Sequence, residues 1–172
     1  TRLIDPSAGT IHYSYNAFGA LTSQQNARGQ STSISYLDDG RIHQKTTPEG
    51  TFSYTYNTNK QLTTVSAPAN VSQTLSYDSK GRITTISDNI EGSIFSTTFT
   101  YDSKGRLSST THPSGIVETN AYNSCGYLAS VSAGGATRWS CSTMNERGQV
   151  TEGTYGTSLS ACLLYTSPSP RD

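Results

Sequence analysis

His12, His43 and His112 are the residues of this 172-residue chain best suited to hold a metal or move a proton, yet none has a partner at ligand spacing. Solvent-facing positions on strands or turns are the expected places for them. Asp38 and Asp39 would make a carboxylate pair, but adjacent residues on an extended chain point to opposite faces, and a turn role is expected instead. Glu49, Glu91 and Glu118 stand singly, so no two-carboxylate glycosidase site is built. The patterns G-x-S-x-G, H-E-x-x-H, C-x-x-C and the P-loop do not occur. Cys125 and Cys141 lie 16 apart, a spacing that suits either a disulfide between neighbouring segments or two free thiols. Asn70-Val71-Ser72 is an N-glycosylation acceptor pattern, meaningful in a secreted eukaryotic protein. The chemistry-bearing residues thus point to a non-enzymatic chain with no catalytic, cofactor-binding or metal site.

Bulk composition agrees. Charged residues make up 14% of the chain, against about 25% in ordinary domains. The net charge is +0 and the pI about 6.7, so no electrostatic footprint for nucleic acid is present. No run approaches the ~18 apolar residues that a membrane-spanning helix needs, so membrane insertion by this segment is not expected. Aliphatics are scarce and Ser and Thr abundant, but eleven Tyr and four Phe oppose a disordered reading. The chain opens at Thr1 in mid-pattern, as a piece of a longer protein would. Residues 162–172, "CLLYTSPSPRD", break every preceding pattern and resemble the in-frame translation of a transposase-type sequencing adapter. They are expected to be read-through rather than native protein, which leaves 1–161 as the array and removes Cys162 from the cysteine count.

The dominant signal is a repeat. "YDSKGRITT" at Tyr77 returns as "YDSKGRLSS" at Tyr101, and weaker copies begin at Tyr15, Tyr36, Tyr56, Tyr122 and Met144. The intervals are 21, 20, 21, 24, 21 and 22. Seven positions define the frame: an aromatic, Asp or Asn, two variable residues, Gly, one variable residue, then Leu, Ile or Val. Position 1 is Tyr15, Tyr36, Tyr56, Tyr77, Tyr101 and Tyr122; position 2 is Asn16, Asn57, Asp78, Asp102, Asn123 and Asn145. Position 5 is Gly19, Gly40, Gly81, Gly105, Gly126 and Gly148, and the best copies carry Arg82 and Arg106 at position 6.

Each element of the frame has a cause. Upstream of the aromatic, apolar and polar residues alternate (Ile11-Tyr13-Tyr15, Phe52-Tyr54-Tyr56), the period of a strand with one covered face. The Asp or Asn accepts a backbone N–H and starts a turn, and the Gly supplies a positive φ. The aliphatic opens the return strand, often with another three residues on (Val65, Ile86, Val131). Half a period away, "TPEG" at 47–50, "NIEG" at 89–92 and "HPSG" at 112–115 read as further turns. The fold class is therefore all-β: a meander of antiparallel hairpins over about seven repeats of about 21 residues. In the copy at Tyr56, Lys60 stands where Gly belongs, and Asn59 is expected to take the left-handed position. Lys80, Arg82, Lys104 and Arg106 are expected as solvated edge charges that discourage aggregation, with contact to a phosphate or sugar acid as the minor alternative.

The frame resembles the YD repeat, also called the Rhs repeat, written Tyr-Asp-x-x-Gly-[Arg/Gln]-[Leu/Ile] with a Pro-x-Gly turn between units. The resemblance covers about residues 5 to 155. It implies a β-sheet that spirals into a hollow shell, as in bacterial polymorphic toxins, insecticidal toxin complexes and animal teneurins. It further implies a secreted or cell-surface parent whose remaining repeats and enclosed C-terminal cargo are the partners of this segment. The family's self-cutting acidic segment has no counterpart between Thr1 and Ala161, so no catalytic residue carries over. A carbohydrate-binding adhesin, with Tyr rings stacking on sugars, is the alternative function.

Overall fold

The computed structural model describes residues 1–5, 9–156 and 159–162, and every regular element among them is a β-strand. Two compact units divide the chain. The first, Thr1–Ser96, contains β1 (Arg2–Asp5), β2 (Gly9–Tyr15), β3 (Leu21–Gln25), β4 (Ser31–Tyr36) and β5 (Ile42–Thr47). It continues with β6 (Gly50–Tyr56), β7 (Leu62–Ala67), β8 (Val71–Tyr77), β9 (Ile83–Ile90) and the start of β10 (Ser93–Tyr101). The second, Thr97–Asp172, contains the rest of β10, β11 (Leu107–Thr111), β12 (Val117–Tyr122) and β13 (Leu128–Ala133). It ends with β14 (Ala136–Met144), β15 (Val150–Tyr155) and β16 (Leu159–Cys162). Strand order is chain order, and pairing is antiparallel. Cys162 pairs with Glu152 at the end of β16; the remainder of the suspected tail, 163–172, lies outside the described residues.

The meander read from the sequence is therefore present, and it has no conventional core. Among the described residues no hydrophobic side chain is fully buried. Cohesion has to come from strand ladders and from side chains lying along the sheet.

All seven copies close with the same turn. The position-2 N–H donates to the position-6 carbonyl, and the position-5 N–H donates back to the position-2 carbonyl, as in Asp78 with Arg82 and Gly81. Leu37 at position 2 makes both bonds without an Asx side chain, so the backbone alone sustains this turn. Gly81 has φ 80° and Gly105 φ 86°, as the frame requires. In the third copy Lys60, not Asn59, takes the left-handed conformation, at φ 65°. The correction has a simple cause. Asn57 receives the Lys60 N–H on its carbonyl and the Gln61 N–H on its Oδ1, so the turn register is fixed before residue identity matters.

A bulge follows every one of these turns. Tyr56 faces Leu62 and Thr55 faces Thr64, which leaves Thr63 out of the strand register. The same offset strands Thr22, His43, Thr84, Ser108, Ala129 and Thr151. It explains the aliphatics spaced by three. On a regular strand Leu62 and Val65 would face opposite ways; with Thr63 bulged, Leu62 lies opposite Tyr56 and Val65 opposite Tyr54, all on one face. The other face carries hydroxyls that bond one another at the bulge. Thr55 and Thr63 meet at 3.1 Å, Thr143 and Thr151 at 2.7 Å, and Thr100 meets Ser108 at 2.8 Å and Ser109 at 2.7 Å.

The half-period turns are of two kinds. Short connections of two or three residues join β5 to β6 (Pro48, Glu49), β7 to β8 (Pro68, Ala69, Asn70), β9 to β10 (Glu91, Gly92) and β13 to β14 (Gly134, Gly135), with positive φ at Ala69, Asn70, Glu91, Gly92, Gly134 and Gly135. The other kind reuses the main turn geometry, at Asn26–Gly29 and at His112–Gly115. The stretch "NARG" at 26–29 thus forms a turn of the repeat type with no aromatic before it.

A left-handed non-glycine residue costs about 1–2 kcal/mol. Lys60→Gly is expected to raise the thermal midpoint by the equivalent of about 1 kcal/mol, because Lys60 gives up only an exposed 3.8 Å approach to Asp39. Circular dichroism melts of the two proteins check it, and an unchanged or lower midpoint refutes the strain.

Candidate functional site

The side chains that join one repeat to the next run along the turn edge. At that edge the ladders between repeats stop early. β3 and β4 pair only from Ser23 and Ser33 onward, so the Leu21 carbonyl lies beyond the last rung. An unpaired carbonyl is costly wherever water is excluded. The hydroxyl of Tyr36, from the next repeat, donates to it at 2.7 Å. The bond recurs from Tyr56 to Ile42 (2.9 Å), Tyr77 to Leu62 (2.7 Å) and Tyr122 to Leu107 (2.8 Å). Each spans 14 or 15 residues and locks one repeat onto its predecessor.

Positions 2 and 6 form a second device. In the YD copies the carboxylate divides its labour. Asp78 Oδ1 accepts the N–H groups of Lys80 (2.9 Å) and Arg82 (3.0 Å), while Oδ2 takes Arg82 Nε (2.8 Å) and Nη2 (2.6 Å). Asp102 and Arg106 repeat this arrangement. Where position 2 is Asn, position 6 is often Gln, and the two amides bond: Asn57–Gln61 at 3.1 Å, Asn145–Gln149 at 2.8 Å, and Asn26–Gln30 at 2.9 Å in the half-period turn. Charge is matched with charge and amide with amide. In the second copy Leu37 cannot pair, and Asp39, two residues along, holds Arg41 through Nε and Nη2 instead.

These arginines are not solvated edge charges, which corrects the sequence expectation. The Arg82 and Arg106 side chains keep only 27% and 26% of their surface, whereas Lys80 and Lys104 beside them are exposed. The guanidinium of Arg41 lies 4.3 Å over the ring of Tyr56, and that of Arg106 lies 4.2 Å over Tyr122. Buried Nη1 of each has no hydrogen-bond acceptor, and the electron-rich ring face meets it instead. A planar cation that is held by a carboxylate can be laid flat on a ring, which an isolated surface charge would not sustain.

Position 6 also reaches the next glycine. Gln61 Nε2 donates to the Gly81 carbonyl at 2.9 Å. A Cβ on Gly126 would stand 3.6 Å from Arg106 Nη1, and one on Gly148 would stand 2.3 Å from the ring of Tyr127. Gly148 is therefore required twice, by its φ of 74° and by the phenol above it.

The remaining sequence-flagged residues are dispersed. Tyr15 is half exposed at the end of β2, and Tyr101 closes β10 opposite Leu107. Asn16, Asn123 and Asn145 cap their own turns through Oδ1. His112 stands 3.7 Å from Glu118 across one turn, and no group of three or more metal-ligating side chains occurs among the described residues. Cys125 and Cys141 are free thiols. Sequence reasoning placed Asp39 in a turn but missed its pairing with Arg41, and it missed Arg41, Gln61 and Tyr127. The coupling of positions 2 and 6, Asp with Arg and Asn with Gln, is the signal that finds Gln61; Arg41 after Leu37 and Tyr127 after Asn123 fall outside it.

This arrangement defines a class: a hairpin repeat array in which each repeat is fastened sideways to the next. The chain matches the family described as Teneurin YD-shell over residues 4–88 and that described as RHS Repeat over 77–117, so its repeats are similar to YD/Rhs repeats, as the sequence resemblance implies. Among solved structures it is similar to TcdB2-TccC3 without its hypervariable C-terminal region, with a TM-score of 0.72 and 16% identity over 90% of this chain and 9% of that one. TcdB2-TccC3-TEV gives 0.51 and 14% identity over 95% and 12%. The chain spans about a tenth of the length of these proteins, and the likeness is one of fold. No curated protein matches it.

Two outcomes follow from the edge. Tyr56→Phe removes one inter-repeat bond and keeps the ring, so unfolding in urea is expected to show a loss of about 1 kcal/mol; no loss refutes the role given to that hydroxyl. Bonds from Arg41 hold the Asp39 carboxyl down at about 2, and those from Arg82 and Arg106 hold Asp78 and Asp102 below the usual range. Carboxyls lowered in the folded state stabilise it above their unfolded pKa of about 3.9, and that stabilisation fades as pH falls through the folded values. Stability is expected to hold from neutral pH to about 4 and then drop toward about 2, with Asp78→Asn weaker at pH 7 and converging on the parent in acid. A constant gap at all pH values refutes the pairing.

Proposed function

We propose that the chain is a wall segment of a large secreted or cell-surface Rhs-type protein, contributing strands to a shell that encloses C-terminal cargo of the same parent chain, a toxin in the bacterial setting. Its part is structural and non-enzymatic. The observation that carries this reading is the sideways fastening: repeats are joined by ladders and by Tyr-to-carbonyl bonds, while no hydrophobic side chain among the described residues is fully buried. Such a sheet makes a thin barrier that grows by adding units. The matched family models and the fold shared with TcdB2-TccC3 support it. For the adhesin alternative, Arg41 and Arg106 cover the ring faces of Tyr56 and Tyr122, so those two rings are not free to stack on a sugar.

The test uses the parent protein that carries this array together with its C-terminal segment. Limited proteolysis is expected to spare that segment while the array is folded, and to cleave it once Tyr56→Phe and Tyr122→Phe are combined under mild denaturant. Cleavage as fast as that of the segment expressed alone overturns the enclosure.

A further inference from the structure

At the second and fifth junctions the position-6 arginine covers the aromatic ring of the next copy, Arg41 over Tyr56 and Arg106 over Tyr122. The first junction differs. Position 6 of the first copy is Ala20, whose methyl group is too short to reach across to the ring of Tyr36. An open pocket of about 870 Å³ lies there, with Phe18, Ala20, Tyr36, Asp38, Asp39 and Gly40 in its walls. The two aspartates are not equivalent. Asp39 is committed to Arg41, with Lys60 at 3.8 Å, whereas Asp38 makes no ion pair among the described residues. Phe18, in the turn above, is 96% exposed, an unusual state for a large apolar side chain.

We propose that this pocket binds the guanidinium group of an arginine side chain from another polypeptide segment, stacked on Tyr36, with Asp38 as its counter-ion and Phe18 against its aliphatic stem. The chain itself supplies the template, because the same ring position is filled by arginine at two other junctions with ring distances of 4.3 and 4.2 Å. The tyrosine face attracts a cation, the carboxylate selects a positive group, and the flat fork of arginine suits both better than the compact ammonium of lysine. The volume exceeds one guanidinium, so flanking residues of the segment fit beside it. This site goes beyond the shell reading and does not depend on it.

The full chain, isotope-labelled, is titrated with N-acetyl-arginine-amide, N-acetyl-lysine-amide and the neutral isostere N-acetyl-citrulline-amide while amide chemical shifts are followed. The arginine compound is expected to move Phe18, Tyr36, Asp38 and Gly40, the lysine compound to bind more weakly, and the citrulline compound to leave the spectrum unchanged. Asp38→Asn is expected to weaken arginine binding about threefold to tenfold. Ala20→Arg places the missing side chain in position and is expected to abolish binding, with far-UV circular dichroism confirming that both variants are folded. Equal response to arginine and citrulline, equal affinity for arginine and lysine, or unchanged binding in Ala20→Arg overturns the proposal, and the first two comparisons need no variant at all.

Discussion

The first carbonyl of each return strand is the constraint on which the rest depends. The turn and its bulge splay the strands apart, so the ladder to the following repeat ends before residues such as Leu21, Leu62 and Leu107 are reached. A tyrosine hydroxyl from that following repeat arrives where the ladder fails. Phenylalanine would cover the same surface and leave the carbonyl dry, which is why position 1 is so consistently Tyr. The bulge that opens the gap also turns the aliphatics onto the tyrosine face, so one local irregularity sets both the polar and the apolar side of the contact.

Because each fastening spans a single junction, cohesion in this chain is a nearest-neighbour property. Strands within a unit touch the strands adjacent to them in the chain. Ordinary domains gather their stability in a common interior; here it is distributed along an edge, through hydroxyls, guanidinium groups and amides placed at a fixed period. That distribution accounts for the composition. Ser and Thr, which would waste space in a packed core, bond one another across the bulges, and a small number of aliphatics suffices when they need only line one face.

The periodic part of this structure was legible in the sequence, and the lateral part was not. Tyr, Asx and Gly at fixed offsets announce the hairpins because each acts within its own turn. Arg82 and Arg106 misled because an arginine in a polar, Gly-containing turn ordinarily faces water, whereas Arg106 has the ring of the next copy, Tyr122, as a partner 16 residues on. Lys60 misled for the opposite reason: the residue type argued against a left-handed turn that backbone bonds had already imposed. The bulge was written in two places, the doubled Thr-Thr or Ser-Ser after the aliphatic and the three-residue gap from Leu62 to Val65. A period-two template passes over both.

Tyr127 above Gly148 has a consequence for how such a gene can be rearranged. The sixth copy carries an aromatic where three other copies carry arginine, and the seventh has Met144 where the others carry tyrosine, so across this junction the ring has changed sides. The two copies fit each other as a couple. A deletion or duplication whose breakpoints fall between Tyr127 and Gly148 would set this phenol against a tyrosine-bearing neighbour, or leave the glycine bare. Unequal crossing-over can therefore shuffle the interior copies while this pair travels as one inherited block.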